Sequence, residues 1–456
     1  MSEITLPYGE RGLRWSPREK NVRIYSCAPA PAITDVEGAV RDSLRKPIGT
    51  EPLREIVRPA DRVAVIVSDA ARLFPQERFL RTVLAEISHA DPARVTIVIA
   101  NGSHTLSDPE RIGLTRDIRA RFAVVNHDAR DNDSMRIVGR LPGKERLFFF
   151  AQALRHLVRS FSSLPGDLRR VASALCRGDA AGAADCAGYT MFGRALFIFG
   201  ASFRTKVRIN RAAADADIRI LIGQIKPHFL AGFSGGLKAV FPGCARRRDI
   251  AKNHFMMNHP TAALGRNENN LLREYIERAG ALCGRSFAVN AVMNPDKTLA
   301  GVFSGDPVAA QRRGSELCRR IADVEAEPAD IVVSAEGLPE AVNLYQLTKV
   351  VPPAGRLVRP GGAIICVGEC CFGVGGTMVV NEITCRIGFW HLLPPGVRLY
   401  LVSGLDRSTV EKTAFTYALT IDDAIAQEKK RRGRDGLSVA VLSGAGLMMP
   451  RCKAEG

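Results

Sequence analysis

The sequence predicts an α/β fold: two α/β domains with mainly parallel sheets, a site in the cleft between them, and a helical insertion. Three observations predict it. Short runs rich in Val and Ile recur along the chain, as parallel strands covered on both faces require. Helical patterns lie between some of these runs, and strands alternating with helices argue for α/β layers. Polar clusters follow directly on several of the strands, where open α/β sheets hold their ligands.

Taken in order, the first strand is "RVAVIV", ending at Val67 and followed by "SDAAR". A helix is expected over "PQERFLRTVLAEISHA", Pro75 to Ala90. The second strand, "RVTIVIA", ends at Ala100 and runs into "NGSH". Residues of about 141–200 behave differently and read as the insertion. There "LFFFAQALRHLVRSF" sets Phe150, Leu154, Leu157, Val158 and Phe161 at helical spacing, with Arg155 and Arg159 off that stripe. A second helix could follow in "PGDLRRVASALCRG". A packed subdomain or lid support is the plain reading, and a membrane-surface or partner-binding role is the alternative. The strand "IRILIG" ends at Gly223 and leads into "QIKPHFLAGFSGGLK". A second domain is expected from residue 286 to 456, after a first of 1–285, with the final segment free to pack back on the first. It holds strands ending at Ser334 and Gly368. Between them "EAVNLYQLTKVV" reads as a helix that puts Gln346 and Lys349 on one face. The glycine loop "FGVGGT", Phe372 to Thr377, lacks the spacing of a dinucleotide fingerprint.

Composition bounds the function. At 456 residues, 46% of them hydrophobic and 24% charged, the chain suits two or three ordinary globular domains. It has no long uncharged apolar run for a transmembrane helix and no apolar core of a signal peptide, so a cytoplasmic location is expected. The 11 cysteines are scattered with no Cys-x-x-Cys pair, which removes zinc-ribbon and thioredoxin readings. The net charge of +17 suits anionic small substrates, nucleic acid or an acidic membrane surface. Its densest run, "KKRRGR" at Lys429 to Arg434, lies between a helix and a strand and reads as a solvated turn. No aromatic RNA-binding signature or zinc-finger spacing accompanies it, so no nucleic-acid partner is expected.

The stretch "IKPHFLAGFSGGLKAVFPG", Ile225 to Gly243, is the most informative. A Walker phosphate loop needs Gly-Lys-Ser or Gly-Lys-Thr, and here Leu237 separates Gly236 from Lys238. His104, His228 and Lys238 all follow strand ends, which points to one shared site.

Taken as an ordered set, "LPYG", "KPIGTEPLREIV", "SDAAR", "NGSH", "NHD", "PHFLAGFSGGLKAVFPG" and "NLYQLTK" resemble the nickel-dependent lactate racemase family, over most of the chain except roughly 141–200. His228 ten residues before Lys238, and His254 sixteen after it, are the most specific part. The resemblance implies a racemase or epimerase of a 2-hydroxy acid that works by reversible hydride transfer. Its cofactor would be a nickel-pincer nucleotide of the pyridinium bis-thiocarboxylic acid mononucleotide type. Lys238 would tether that group, with Asp69, Ser234, Gly235 and Gly236 around it, and His254 would complete the nickel coordination. His104 and His228 would be the catalytic acid/bases, one on each side of the substrate. Arg72, Tyr345, Gln346 and Lys349 would bind the substrate, a small anionic 2-hydroxy acid. Cofactor-biosynthesis proteins would be the protein partners. Hydride removal avoids a carbanion beside a carboxylate, and imidazole titrates in the right range to move the hydroxyl proton. The small residues of the loop would let backbone approach the nucleotide. His259, five residues after His254, is a competing ligand, and His127 reads as structural. The chain departs from the family pattern at Ala71, Thr105 and Leu237. This leaves open an epimerase using the same cofactor on a larger or more acidic hydroxy or sugar acid, or an inactive nucleotide-binding homologue.

Overall fold

The computed structural model describes residues 3–375 and 392–453, apart from positions 71, 142, 144 and 156 and most of 159–190. Most of the expected second helix of the insertion, Phe161 of its stripe, Arg159 beside that stripe, and Ala71 therefore lie outside the described residues. Twelve strands form the two main sheets. In chain order they are β1 (Val22–Tyr25), β2 (Val63–Ser68), β3 (Val95–Ala100), β4 (Ala123–Asn126), β5 (Ile218–Ile225), β6 (Ser286–Met293), β7 (Leu299–Gly305), β8 (Ala329–Ala335), β9 (Val358–Val367), β10 (Arg398–Val402), β11 (Thr416–Tyr417) and β12 (Val439–Ser443).

The first sheet has the order β7-β6-β5-β2-β3-β4, parallel except for the edge strand β7. The second has the order β11-β10-β9-β8-β12-β1 and is parallel throughout. Both show why the Val/Ile runs were legible. In β2, Val63, Val65 and Val67 pack into one core cluster while Ala64 and Ile66 pack into another, so the strand is apolar on both faces. The same split places Ile331 and Val333 of β8 on one side of the second sheet and Val332 on the other.

The domain boundary expected at 285/286 is corrected by the pairing. Strand β6 begins at Ser286 and pairs with β5 of the first sheet, and the helix Pro307–Ala322 packs on β6 and β7. At the other end, β1 pairs with β12, so the N-terminal segment belongs to the second sheet. A hydrophobic strand pattern fixes which residues are buried, not which sheet buries them. The C-terminal strand Met449–Cys452 pairs with Asp323–Ala326, and Met449 packs with Ile225, Phe233 and Leu264 of the first domain.

Three local expectations change. The single helix over "EAVNLYQLTKVV" is instead two short turns, Leu344–Leu347 and Thr348–Val350, running into Val351–Gly355, where Pro352 and Pro353 cannot continue a helix from before them. The stripe of the insertion faces outward: Phe150, Leu154 and Val158 are 52%, 54% and 62% exposed, and the same helix buries Phe149 and Ala153. The basic run is not a solvated turn. It closes the helix Ile421–Arg432, whose carboxyl end favours cations, and Gly433 caps it in the left-handed conformation. Arg432 and Arg434 both reach Asp330, at 2.8 and 2.7 Å, and Lys429 reaches Glu19. No helix among the described residues is long and apolar enough to cross a membrane.

Candidate active site

A cavity of about 140 Å³ lies at the carboxyl ends of β2, β3 and β5, against the turns that follow β8. Asp69, Arg72, His104, His228, Ser234, Gly235, Gly236, Lys238, His254, Tyr345 and Lys349 all line it. Residues separated by up to 280 positions in sequence thus meet at one place because parallel strands deliver their following loops to one edge.

A directed chain of hydrogen bonds crosses the two domains. Lys349 Nζ donates to Gln346 Oε1, Gln346 Nε2 donates to His104 Nε2 at 3.2 Å, and His104 Nδ1 donates to Asp69 Oδ2. Gln346 does not line the cavity; it joins His104 to Lys349. Burial alone would raise the Asp69 carboxyl, but its bond from His104, with Arg72 and Lys349 nearby, brings it down to about 2. Asp69 was expected beside the cofactor. It lines the cavity, and its Oδ2 accepts from His104, whose ring it orients.

His228 is held differently. Its Nδ1 accepts from the backbone N–H of Leu230 at 3.2 Å and of Ala231 at 3.1 Å, and its ring stacks on Phe229. Enclosure, then Lys238, Lys349 and Arg72, hold its pKa well below that of an ordinary imidazole. Phe229 packs against the cores of both domains, which fixes the neighbouring histidine in the cleft.

Lys238 sits on the short turn Gly236–Ala239. Burial, with Arg72 and Arg273 close by, lowers its amine to about 7. Lys349 is pulled well below its ordinary value by burial, Arg72 and Lys226. The lining cations Arg72, Lys238 and Lys349 face a single lining carboxylate, Asp69, so the cavity suits anions.

The glycine loop corrects one expectation. A Cβ on Gly235 would come within 2.6 Å of Ile225 and 2.8 Å of Asn290, and one on Gly236 within 2.6 Å of the Pro307 carbonyl. Both glycines also have positive φ, 84° and 60°. It is the protein's own packing and turn geometry that require glycine here. The Ser234 hydroxyl donates to the Gln224 carbonyl at 2.7 Å and accepts from the Lys226 N–H, so it braces the loop.

The residues fit a metal-bearing anionic group. His254 ends the helix Arg247–His254 and donates from Nδ1 to the Ile250 carbonyl at 2.9 Å, which leaves the Nε2 lone pair free, as metal-ligating histidines are commonly held. Burial, with Lys238 and His104 nearby, lowers it to about 4, so the ring is neutral. His259 lies outside the cavity lining, bonded to Thr261 and edge-on to Phe148. Among the described residues no three His, Cys, Asp or Glu converge on one point, so a metal at His254 needs its other donors from the bound group. His127 is buried and holds the Ala245 carbonyl, a structural role.

Two lining residues were missed in the sequence. Gln224 Oε1 and Asn290 Nδ2 are buried with no hydrogen-bond partner among the described residues, and both line the cavity. Each is an amide interrupting an apolar strand, at the carboxyl end of β5 and within β6. That interruption was the available signal, since buried polar groups need partners.

Comparison with known proteins agrees with this geometry. The model of the lactate racemase N-terminal domain matches residues 8–156 and 196–265, and that of the lactate racemase C-terminal domain matches 324–388. Together they cover more than half of the chain, and they leave out much of the expected insertion. A lactate racemase of Thermoanaerobacterium thermosaccharolyticum is 27% identical over 385 residues, 82% of this chain and 76% of that protein. A lactate racemase of Lactiplantibacillus plantarum is 28% identical over 402 residues, 86% and 78%. Among solved structures, the lactate racemase apoprotein from T. thermosaccharolyticum superposes with a TM-score of 0.75 at 24% identity, covering 99% of this chain and all of that one. A protein from Thermotoga maritima superposes with a TM-score of 0.63 at 16% identity.

Proposed function

The chain belongs to the lactate racemase family and is an isomerase of the racemase type; on that premise we propose that it interconverts the hands of a small 2-hydroxy acid, lactate or a close analogue, with a lysine-tethered nickel-pincer nucleotide. The observation that carries the reading is the convergence of Lys238, His254, His104 and His228 on one cation-lined cavity. The group, when bound, supplies an electron-poor centre able to accept and return a hydride.

The chain's own residues do the rest. Lys238, with its amine lowered to about 7, has a neutral nucleophile available for acylation near neutral pH. His254 offers a bare Nε2 to nickel. Arg72 or Lys349 holds the substrate carboxylate, a guanidinium or ammonium partner being what a carboxylate needs. The buried amides of Gln224 and Asn290 have an acceptor and a donor to spare for the bound group. His104 and His228 flank the hydroxyl, and Asp69 supports the positive charge that a proton brings to His104. Arg72 and Lys349, the basic lining residues left once Lys238 is tethered, also favour a second reading, a hydroxy acid carrying a further carboxylate.

The test is expression together with the cofactor-making enzymes. We expect one nickel per chain, a mass adduct on Lys238, and racemisation of lactate or a dicarboxylic 2-hydroxy acid followed by chiral chromatography. Loaded, active enzyme with an unmodified Lys238 would sink the assignment. His254→Ala should lose nickel with the fold intact, and unchanged nickel in that variant would remove His254 as ligand.

A further inference from the structure

The two ends of the expected insertion turn an apolar face outward. Along residues 146–158, Leu147, Phe150, Leu154 and Val158 recur at helical spacing on the exposed side, while Phe149 and Ala153 enter the core. The helix Met191–Ser202 repeats the arrangement. Leu196, Phe199 and, just past its end, Phe203 are 56%, 44% and 64% exposed, and Ile198 and Ala201 are buried. Ring contacts join the two rows into one patch, Phe150 to Phe199 at 6.2 Å and Phe199 to Phe203 at 5.1 Å between centroids. Single exposed apolar side chains are ordinary, but a contiguous set of leucines and phenylalanines marks an interaction surface. None of these residues lines the cavity.

The charge around the patch selects its partner. Among the described residues of the two helices there is no carboxylate, and Arg146 and Arg155 are exposed beside the stripe. More cations gather at the Phe203 end. Burial, then Arg248 and Arg246, lower the Arg204 guanidinium, and Arg208 adds to them. The carboxylates of this region, Glu145 and Asp249, are buried and already engaged, with Lys252 and with Arg246. From Arg146 to Arg208 the sequence carries ten arginines and lysines against three aspartates. A second copy of the chain would bring to this patch the same cations and no carboxylate from these helices. A bilayer rich in anionic lipid supplies both an apolar layer and negative headgroups, and amphipathic helices lie in that interface. We propose that this face docks the protein on an anionic membrane surface, with Phe150, Leu154, Phe199 and Phe203 entering the headgroup boundary and Arg146, Arg155 and Arg248 on the headgroups. The attachment is peripheral, since no helix among the described residues is long and apolar enough to span a membrane. It is separate from the chemistry proposed above, which lies toward the inner side of the same helices. There Ile250, of the helix that ends at His254, shares a core cluster with Phe149, Ala153, Ile198 and Ala201.

Flotation of the full-length protein with lipid vesicles tests this. Phosphatidylcholine vesicles holding about one-third phosphatidylglycerol should carry the protein, and pure phosphatidylcholine far less of it. A net charge of +17 draws a chain to anionic vesicles without any special face, so the apolar residues make the decisive comparison. Phe150→Ser, Phe199→Ser and Phe203→Ser together keep every charge and should weaken partition at least about tenfold. Arg155→Gln with Arg248→Gln should weaken it by roughly twenty- to thirtyfold, at about fivefold for each charge removed. A direct reading uses Phe150→Trp, whose emission should move to shorter wavelength on the anionic vesicles. Ile24→Trp, equally exposed but on β1 of the second sheet, should not move. If the triple variant melts without cooperativity, these two tryptophan variants decide. Partition unchanged by the three serines, or equal shifts at positions 24 and 150, would mean attraction by net charge alone and overturn the proposal. Failure to float with the anionic vesicles would overturn it too, and a dimer in sedimentation velocity that the three serines abolish would then assign the face to a second copy.

Discussion

At the scale of single residues, the site works by moving ordinary side chains away from their ordinary protonation. Lys238 is the clearest case, brought from 10.5 to about 7 chiefly by burial. Between those values the unfolded chain binds a proton that the folded chain does not, so stability should rise with pH from about 7 to 10.5. Lys238→Met removes that cost and should raise Tm most at pH 7 and below, as thermal melts across pH would show. The same shift makes Lys238 an early target of acylating reagents. Peptide mapping of the cofactor-free protein should find its labelling rising around pH 7, and labelling that rises only near pH 10 would contradict the shift. Asp69 moves the other way, to about 2, through its bond with His104. Asp69→Asn leaves a side chain of the same shape that cannot hold a charged His104 ring. We expect kcat to fall about a hundred- to ten-thousandfold, with KM changing far less, and a loss confined to KM would show that Asp69 touches the substrate instead.

At the scale of elements, the helix Arg247–His254 matters most, because His254 is its last residue. Two positions earlier Lys252 is buried and reaches Glu145 at 3.1 Å and the Arg204 carbonyl at 2.7 Å, over the rings of Phe149 and Tyr275. Glu145 immediately precedes the first helix of the expected insertion, so the start of that insertion braces the helix that carries the proposed nickel ligand. Glu145→Gln or Lys252→Met alone strands a buried charge and should cost about 3–5 kcal/mol, whereas the double variant Glu145→Leu with Lys252→Met should recover most of that loss. Chemical denaturation checks it, and equal losses in the single and double variants would deny the pairing. Elements such as β2, β3, β5 and β8 were legible because strands buried on both faces leave unbroken Val/Ile runs. The capped start of the helix Pro307–Ala322, with Asp306 bonded to two amides and proline at the first turn, follows equally local rules. The turns after β8 were not legible as such, since a helical spacing of apolar residues says nothing of where prolines will cut it. The outward face of Phe150 and Leu154 was not legible for a related reason: periodicity locates a stripe without saying which side the core lies on.

At the scale of the whole molecule, the site exists only where the two domains meet. The proposed cofactor and proton-moving groups, Lys238, His254, His104 and His228, come from the first domain, and Gln346, Lys349 and Tyr345 come from the second. The sequence held these residues in order, which is why their chemistry was readable, but the joining of β1 to β12 across more than four hundred positions was not, because no local pattern encodes a distant partner strand. One consequence is that a fragment of residues 1–285 lacks β6 and β7 of its own sheet and leaves β1 unpaired, so it should fail to give a cooperative melt by circular dichroism, while a cooperative one would show that those strands are dispensable. A second contact governs how the assembled halves sit. Lys226, just after β5, donates to Glu340, just after β8, at 2.9 Å, and both are largely buried. Lys226 and Arg72 hold the Glu340 carboxyl below its ordinary value against the effect of burial, so Glu340 is a carboxylate at neutral pH. Neither residue lines the cavity. If the pair sets the approach of Gln346 and Lys349 to His104, then Lys226→Met and Glu340→Gln should each raise KM by roughly ten- to a hundredfold, the span of about 1.5–3 kcal/mol typical of a hydrogen bond to a charged group. The proton-moving groups all belong to the first domain, so single-turnover rates at saturating substrate should change much less. The double variant should cost no more than the worse single one, since both remove the same contact. Additive losses, or a fall in the saturated rate with KM unchanged, would mean that the domains are positioned by their apolar contacts around Phe229 alone.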